Sequence, residues 1–97
     1  MLPIDYLPGA WRDFDASFDW YAVRSAQAAL RFADAVEAAL ARVCANPTHF
    51  PSNDGVHREC SLNKFPFRIV YRLIEDRVLV VAIAHAKRRP GYWRDRV

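Results

Sequence analysis

The stretch 65–96, FPFRIVYRLIEDRVLVVAIAHAKRRPGYWRDR, decides the fold of this chain. Two runs rich in β-branched and aromatic residues flank the pair Glu75-Asp76, and such runs around a short turn predict a β-hairpin. The predicted strands cover 67–74 and 78–85. The second run is almost wholly apolar, which favours a central strand covered on both faces.

The register of this hairpin decides which side chains share a face. Counting back from a two-residue loop pairs Arg68 with Ile83. The same count places Pro66 opposite His85. Because cross-strand partners point to one side, we expect a mixed face made of Arg68, Val70, Arg72, Leu79, Val81, Ile83 and His85. The opposite face is uncharged and bulky, so we expect it to pack on helices.

The rest of the chain predicts two helices, with one strand before them in the sequence and one strand after them. A short apolar run at 4–7 indicates an edge strand. One helix is predicted over 10–23, because aromatic residues recur on one face, namely Trp11, Phe14, Phe18 and Tyr21. A second begins after Ser25, a good N-cap, and stops at Asn46-Pro47. Its predicted apolar side repeats through Leu30, Ala33, Val36, Leu40 and Val43. The alternation at 56–62 predicts a half-buried strand.

The element order is therefore β-α-α-β-β-β. We expect an α+β fold in which an antiparallel helix hairpin packs on one face of a mainly antiparallel, twisted sheet. The 97 residues, 53% hydrophobic and 26% charged, fit a single domain, 1–97. Cys44 and Cys60 lack metal-ligand spacing, and the sequence contains no glycine-rich phosphate loop. We therefore expect no metal and no cofactor.

No apolar run approaches the roughly 20 residues that span a bilayer. The start of the chain, MLPIDYLPGAW, has neither a basic segment nor the apolar core of a signal peptide. We therefore expect a cytoplasmic protein without a membrane partner.

The net charge of +3 is unevenly distributed along the sequence. Residues 1–46 hold four arginines against six acidic residues, a balance of −2. Residues 47–97 hold ten Lys/Arg against five acidic residues, a balance of +5. This segregation predicts two surfaces with different partners, of which the basic one meets an anion. The alternative is a solvated surface whose charge is merely uneven.

Candidate binding residues lie in the basic half. Arg68 and Arg72 project the same way from one strand, and the planar guanidinium suits phosphate and carboxylate. His85 ends a strand, where it could act as general acid or base or instead cap the strand. Tyr92 and Trp93 alternate with arginines, a combination suited to stacking bases or anchoring a protein interface. Ion pairing on a solvated surface is the alternative for the arginines.

These patterns together resemble the RelE/ParE superfamily of bacterial toxins from type II toxin–antitoxin modules. The element order matches, as do the segments ALRFADAVEAALARVCANPTHFP, FPFRIVYRL and VVAIAHAKRRPGYWRDR, the last with its H-x-x-R-x-P-x-Y-W-x-x-R form. The likeness covers nearly the whole chain. It implies one of two activities: RelE-like members cut mRNA on the ribosome, whereas ParE-like members lack that catalytic set and poison DNA gyrase.

The resemblance favours the ParE-like activity. Arg68 and His85 fall where RelE-like enzymes place catalytic residues, but Ala86 stands where those enzymes have a tyrosine. RNA cleavage needs a base, an acid and cationic stabilisation, and only the cations are plainly present. We predict a non-enzymatic toxin that poisons DNA gyrase, of the kind associated with plasmid stabilisation. The alternatives are a ribosome-dependent mRNA endoribonuclease and a degenerate, non-toxic interaction module.

The resemblance also implies partners and the residues that meet them. We expect an antitoxin from the same operon, in a heterotetramer or larger complex, whose C-terminal segment wraps the toxin. The predicted target-binding residues are Lys64, Arg68, Arg72, Arg88, Arg89, Trp93 and Arg94. The predicted antitoxin-binding residues are Arg58, Arg72 and Trp93. Under the ribonuclease alternative, which adds ribosome and mRNA as partners, the catalytic residues are Arg68 and His85, with Tyr92 as a further candidate.

Overall fold

The computed structural model describes residues 2–96, which contain two helices and four strands. In chain order these are β1 (Ile4–Tyr6), α1 (Pro8–Arg24), α2 (Ala26–Ala45), β2 (Arg58–Ser61), β3 (Phe67–Ile74) and β4 (Arg77–His85). The strands form one mixed sheet in the order β1-β4-β3-β2, in which only β1 and β4 are parallel to each other. The predicted α+β class, element order and central β4 are confirmed. No helix in residues 2–96 is long and apolar enough to cross a membrane.

The helix boundaries follow from their end residues. Pro8 occupies the first turn of α1, where its missing N–H leaves no hydrogen bond unmade. The Ser25 hydroxyl accepts a hydrogen bond from the Ala28 backbone N–H at 3.2 Å and so caps α2 as predicted. Asn46 follows the last turn of α2, and Pro47 then prevents its continuation.

The core lies between the helix hairpin and one face of the sheet. Phe32 of α2 stands at its centre, and its ring centroid is 4.9 Å from that of Phe67 on β3. The predicted apolar faces are partly wrong. Phe32 is fully buried although it lies outside the predicted repeat, whereas Leu30 and Trp11 are 61% and 52% exposed. Trp11 instead packs on Tyr6, with ring centroids 4.6 Å apart.

The β3–β4 hairpin turns through a two-residue loop, as predicted. Glu75 and Asp76 have φ values of 49° and 63°, the positive values that a type I′ turn needs. The predicted register holds from the turn as far as the pair Tyr71–Val80. A β-bulge then intervenes, because Val70 pairs with Ala82 and leaves an extra residue in β4.

Because of this bulge, the predicted faces at the end of β4 are wrong. Arg68 pairs with Ala84 rather than Ile83, and His85 pairs with Phe67 rather than Pro66. The His85 ring meets the Phe67 ring edge-on at 4.8 Å, on the side of the helices. His85 and Ile83 therefore do not share a face with Arg68.

The second face of the sheet is covered by the C-terminal tail, residues 86–96, which follows β4. Val70, Val81, Ala82 and Ala84 form a second apolar cluster with Trp93, against which Leu7 and Tyr92 pack. Trp93 is only 5% exposed, because it lies on this cluster. The central strand is thus covered on both faces, as its apolar sequence predicted.

Candidate partner-binding site

Two concave regions flank the start of the C-terminal tail. The first, here called the α1 cleft, has a volume of about 730 Å³ and lies between α1, the residues around Phe67 and the tail. The second, here called the arginine pocket, has a volume of about 150 Å³. The arginine pocket is lined by Arg68, Arg88, Arg89 and Arg94 together with Glu59, Trp93 and other tail residues.

The arginine pocket gathers most of the predicted target-binding residues. Arg68 Nη1 donates to Glu59 Oε1 at 2.9 Å, and Arg94 Nε lies 4.0 Å from Asp54 Oδ2. Arg89 has no carboxylate within 4.0 Å among residues 2–96. Clustered guanidinium groups with few acidic partners favour an anionic ligand.

Arg72 and Lys64 stand apart from this pocket. Arg72 is half-buried further along β3, and Lys64 is exposed in the turn before it. The two other predicted antitoxin-binding residues have internal partners. Arg58 Nη1 donates to the backbone oxygens of Thr48 and Phe50, at 2.9 and 2.7 Å, and so fastens the preceding loop.

Trp93 is held by that same loop. The His57 ring lies against the Trp93 indole with ring centroids 4.6 Å apart. Asp54 fixes His57 in turn, since Asp54 Oδ2 lies 2.8 Å from His57 Nδ1. Hydrogen bonds from the His57 backbone N–H and ring and from the Val56 backbone N–H hold the pKa of Asp54 well below its usual range. The alternation over 56–62 predicted only a strand and gave no sign of this support.

Asp13 of α1 anchors the tail from the other side. Its carboxylate accepts two hydrogen bonds from the Arg96 guanidinium, at 2.7 and 3.1 Å, and one from the Tyr92 hydroxyl at 3.1 Å. Asp13 Oδ2 also accepts from the Ile83 backbone N–H at 3.1 Å, while Arg96 donates to the Val81 carbonyl at 3.0 Å. These two side chains therefore hydrogen-bond to backbone groups of β4 that lie beyond the part of β4 paired with β1.

Burial and the Asp13 charge raise the pKa of Tyr92 to about 12. The hydrogen bonds to Asp13 likewise raise the pKa of Arg96. Gly9 makes room for this contact across α1, because a Cβ there would lie 2.6 Å from Arg96 Nε. Tyr92 thus serves as a tail anchor, with its proton held by a carboxylate.

His85 caps the end of β4. Its Nδ1 accepts a hydrogen bond from the Lys87 backbone N–H at 3.0 Å, so the proton of the neutral ring belongs on Nε2. The ring lines both concave regions. The arginine pocket thereby brings Arg68, His85 and Tyr92 near one another, although His85 and Arg68 leave opposite faces of the sheet. Within the described residues, no group of His, Cys, Asp and Glu side chains could hold a metal ion.

Fold and site define a small α+β protein with a cationic surface beside its C-terminal tail. Residues 4–90 match the family model described as the ParE toxin of the type II toxin–antitoxin system parDE. Because this match spans most of the chain, the chain belongs to the ParE toxin family. The sequence-based assignment to this group of toxins is confirmed.

The fold is also similar to one chain of a solved structure described as the chromosomal ParDE TA system from P. aeruginosa. The TM-score is 0.75 and the identity 22%, and the likeness covers 90% of this chain and 98% of that chain. At this identity the similarity supports the fold alone. A search of curated proteins found no match.

Proposed function

We propose that this protein is a toxin that stops bacterial growth by binding and poisoning DNA gyrase, and that a cognate antitoxin neutralises it. Membership of the ParE toxin family supports the toxin role. The observation that carries the mode of action is that the Tyr92 hydroxyl and one ring nitrogen of His85, the candidate proton carriers, have internal partners. His85 Nδ1 accepts from the tail backbone, and the Tyr92 hydroxyl donates to Asp13.

An RNA-cleaving site needs a base near the 2′-hydroxyl and an acid near the leaving oxygen. A tyrosine whose pKa is raised to about 12 is poorly matched to proton transfer near neutral pH. The cations of the arginine pocket supply electrostatic attraction, which suits inhibition by binding. The ribonuclease remains the second candidate, because Arg68 and His85 both line that pocket.

Two assays with the same purified protein separate these functions. The first measures supercoiling and cleavage-complex formation by DNA gyrase, and the second measures mRNA cleavage on ribosomes. We expect loss of supercoiling or trapped cleavage complexes, with mRNA left intact. Cleaved mRNA together with full gyrase activity would establish the ribonuclease instead.

The partner is tested by co-expression with the protein encoded beside this gene. We expect a stable complex, heterotetrameric or larger, and relief of growth inhibition. The complex should form in the cytoplasm, where the proposed gyrase target acts. A toxin that is soluble and harmless at high expression, and that recovers no neighbouring protein, would contradict the proposal.

A further inference from the structure

The α1 cleft is the larger of the two concave regions, at about 730 Å³ against 150 Å³ for the arginine pocket. Aromatic side chains from three parts of the chain line it, namely Tyr21 of α1, Phe67 of β3 and Tyr92 of the tail. Ligand sites that bury most of an occupant have volumes of about 300–1,000 Å³ and mainly apolar linings. This cleft has the size to take one or two side chains of a partner.

Cations stand around this apolar interior. Arg12, Lys87 and Arg88 line the cleft and are exposed, and none has a carboxylate within 4.0 Å among residues 2–96. Asp13 is the one carboxylate among the described lining residues, and Arg96 already pairs with it. The charge of the cleft is therefore positive and unneutralised, which favours an acidic occupant.

Trp20 gives the cleft an anchor that is both exposed and fixed. Its side chain is 53% exposed, yet the Arg24 guanidinium lies 3.7 Å from the ring centroid. Arg24 Nη1 also donates to the Trp20 carbonyl at 2.8 Å, and Tyr21 meets the indole edge-on. Tryptophan, tyrosine and arginine dominate the energetics of protein interfaces, and a ring held in advance loses little entropy on binding.

The wall formed by the tail is also held in place before any partner binds. Asp13 ties Arg96 and Tyr92 to α1, and the Arg88 guanidinium stacks on the Tyr92 ring at 3.9 Å from its centroid. Trp93, by contrast, is already covered by the protein itself. An acidic partner therefore finds its exposed aromatic anchor at Trp20.

The geometry points to the α1 cleft as the docking site for an acidic segment of a partner protein. An aromatic or aliphatic side chain of that segment enters the cleft beside Trp20, and flanking carboxylates meet Arg12, Lys87 and Arg88. The inference rests on the function proposed above, with the antitoxin as the partner. A nucleic acid fits less well, because its phosphates repeat along the chain whereas the cations here surround an apolar interior.

The test measures the affinity of the purified toxin for the protein encoded beside its gene, by calorimetry. Trp20→Ala and Lys87→Glu should each weaken binding about tenfold or more, as expected for interface anchors. Leu30→Ala and Arg31→Glu are matched controls on α2, since both residues are exposed and lie outside the cleft. The controls should stay within about twofold of the wild type, and all four melting temperatures should remain close to it.

Further outcomes of this experiment distinguish an incorrect docking site from an incorrect function and from a nucleic-acid partner. If the wild type binds the neighbouring protein but both cleft variants bind it equally well, the docking site is wrong and the proposed function stands. If the wild type does not bind that protein, the proposed function itself fails. An oligothymidine of about ten nucleotides serves as the rival probe. Cleft variants that lose only oligothymidine binding would overturn the protein partner in favour of a nucleic acid.

Discussion

Asp13 shows how one side chain can organise a binding surface at a distance in sequence. It accepts hydrogen bonds from Arg96, Tyr92 and the Ile83 backbone, so it joins α1 to the end of β4 and to the tail. Asp13 lies beyond the reach of the helix dipole, because α1 begins at Pro8 rather than at the predicted residue 10 and has no acidic residue in its first turn. Its contacts span about seventy residues or more, which no local pattern reports.

Asp13→Asn should therefore destabilise the protein well beyond a surface substitution. The change preserves volume but leaves the partly buried Arg96 without its counter-charge, at a cost of about 2–4 kcal/mol. Urea unfolding measures this loss. Asp5→Asn is the matched control, because Asp5 forms a similar pair with Arg77 at 2.7 Å on the exposed edge of the sheet. Equal effects of the two substitutions would contradict the anchoring role.

Asp54 makes the stability of the protein dependent on acid pH. Hydrogen bonds from His57 and Val56 lower its pKa in the folded state, so its contribution is fully present above the unfolded value of about 4. That contribution disappears as the pH falls below about 4 toward the lower folded-state pKa. Urea unfolding from about pH 2.5 to 7 should show a steeper acid loss for the wild type than for Asp54→Asn. Asp19→Asn, at an exposed position on α1, should leave the wild-type profile unchanged.

His85→Gln distinguishes a structural histidine from a catalytic one. The glutamine amide oxygen can accept the Lys87 N–H that His85 Nδ1 accepts now, so we expect most gyrase inhibition to remain. Loss of a general acid or base would instead reduce a rate about a hundredfold or more. Parallel gyrase and mRNA-cleavage assays decide the matter. A wild type that cleaves mRNA, with an inactive mutant of unchanged melting temperature, would establish the enzyme.

Among the elements, the β3–β4 hairpin shows how far a sequence pattern reaches. The runs of β-branched residues predicted both strands, and the two-residue loop predicted the register next to the turn. The bulge at Val81 escaped prediction because alternation carries no signal in a strand that is apolar at every position from 78 to 84. One extra residue was enough to move Ile83 and His85 to the other face.

Helix α2 illustrates the same limit for helical periodicity. Alanines recur all around this helix, and several neighbouring stripes therefore fit the pattern of apolar spacing. The predicted repeat is confirmed at Val36, Leu40 and Val43, which are buried, but it is wrong at Leu30, which is exposed. Only the facing aromatic core buries the neighbouring Phe32, since its ring fits among Phe14, Tyr21 and Phe67.

The turn of the β3–β4 hairpin is a site where substitutions can increase the stability of the protein. Glu75 and Asp76 both adopt positive φ, which glycine and asparagine tolerate better than other residues. The double substitution Glu75→Asn and Asp76→Gly should raise the unfolding free energy by about 0.5–1 kcal/mol. Asp76→Ala should lower it, because alanine disfavours the left-handed region. Thermal and urea unfolding test both, and a destabilised double variant would contradict the argument.

At the scale of the whole molecule, the charge segregation of the sequence is partly cancelled by folding. Arg77 pairs with Asp5 and Arg96 pairs with Asp13, so arginines of the basic half neutralise carboxylates of the acidic half. The cations left without such partners within residues 2–96 include Lys87, Arg88 and Arg89 at the start of the tail. Composition predicted an anionic partner, but only the fold concentrates the remaining charge beside two concave regions.

Two arginine substitutions on β3 test the surface that meets the target. Arg68→Ala and Arg72→Ala should both reduce growth inhibition more than they reduce stability. Neither removes a fully buried group, so we expect about 0.5–1 kcal/mol from each in urea unfolding. Arg68 should have the larger effect on growth, because it lines the arginine pocket and Arg72 does not.

Growth after induction, read beside the melting temperature of each purified variant, provides the measurement. Arg31→Ala is the control, since Arg31 is exposed on α2 and lines neither concave region. If Arg68→Ala lost several degrees of melting temperature in step with toxicity, its pair with Glu59 would be holding β2 against β3. Arg68 would then be structural, and the target surface would have to be sought among Arg88, Arg89 and Arg94, which extend the same pocket from the tail.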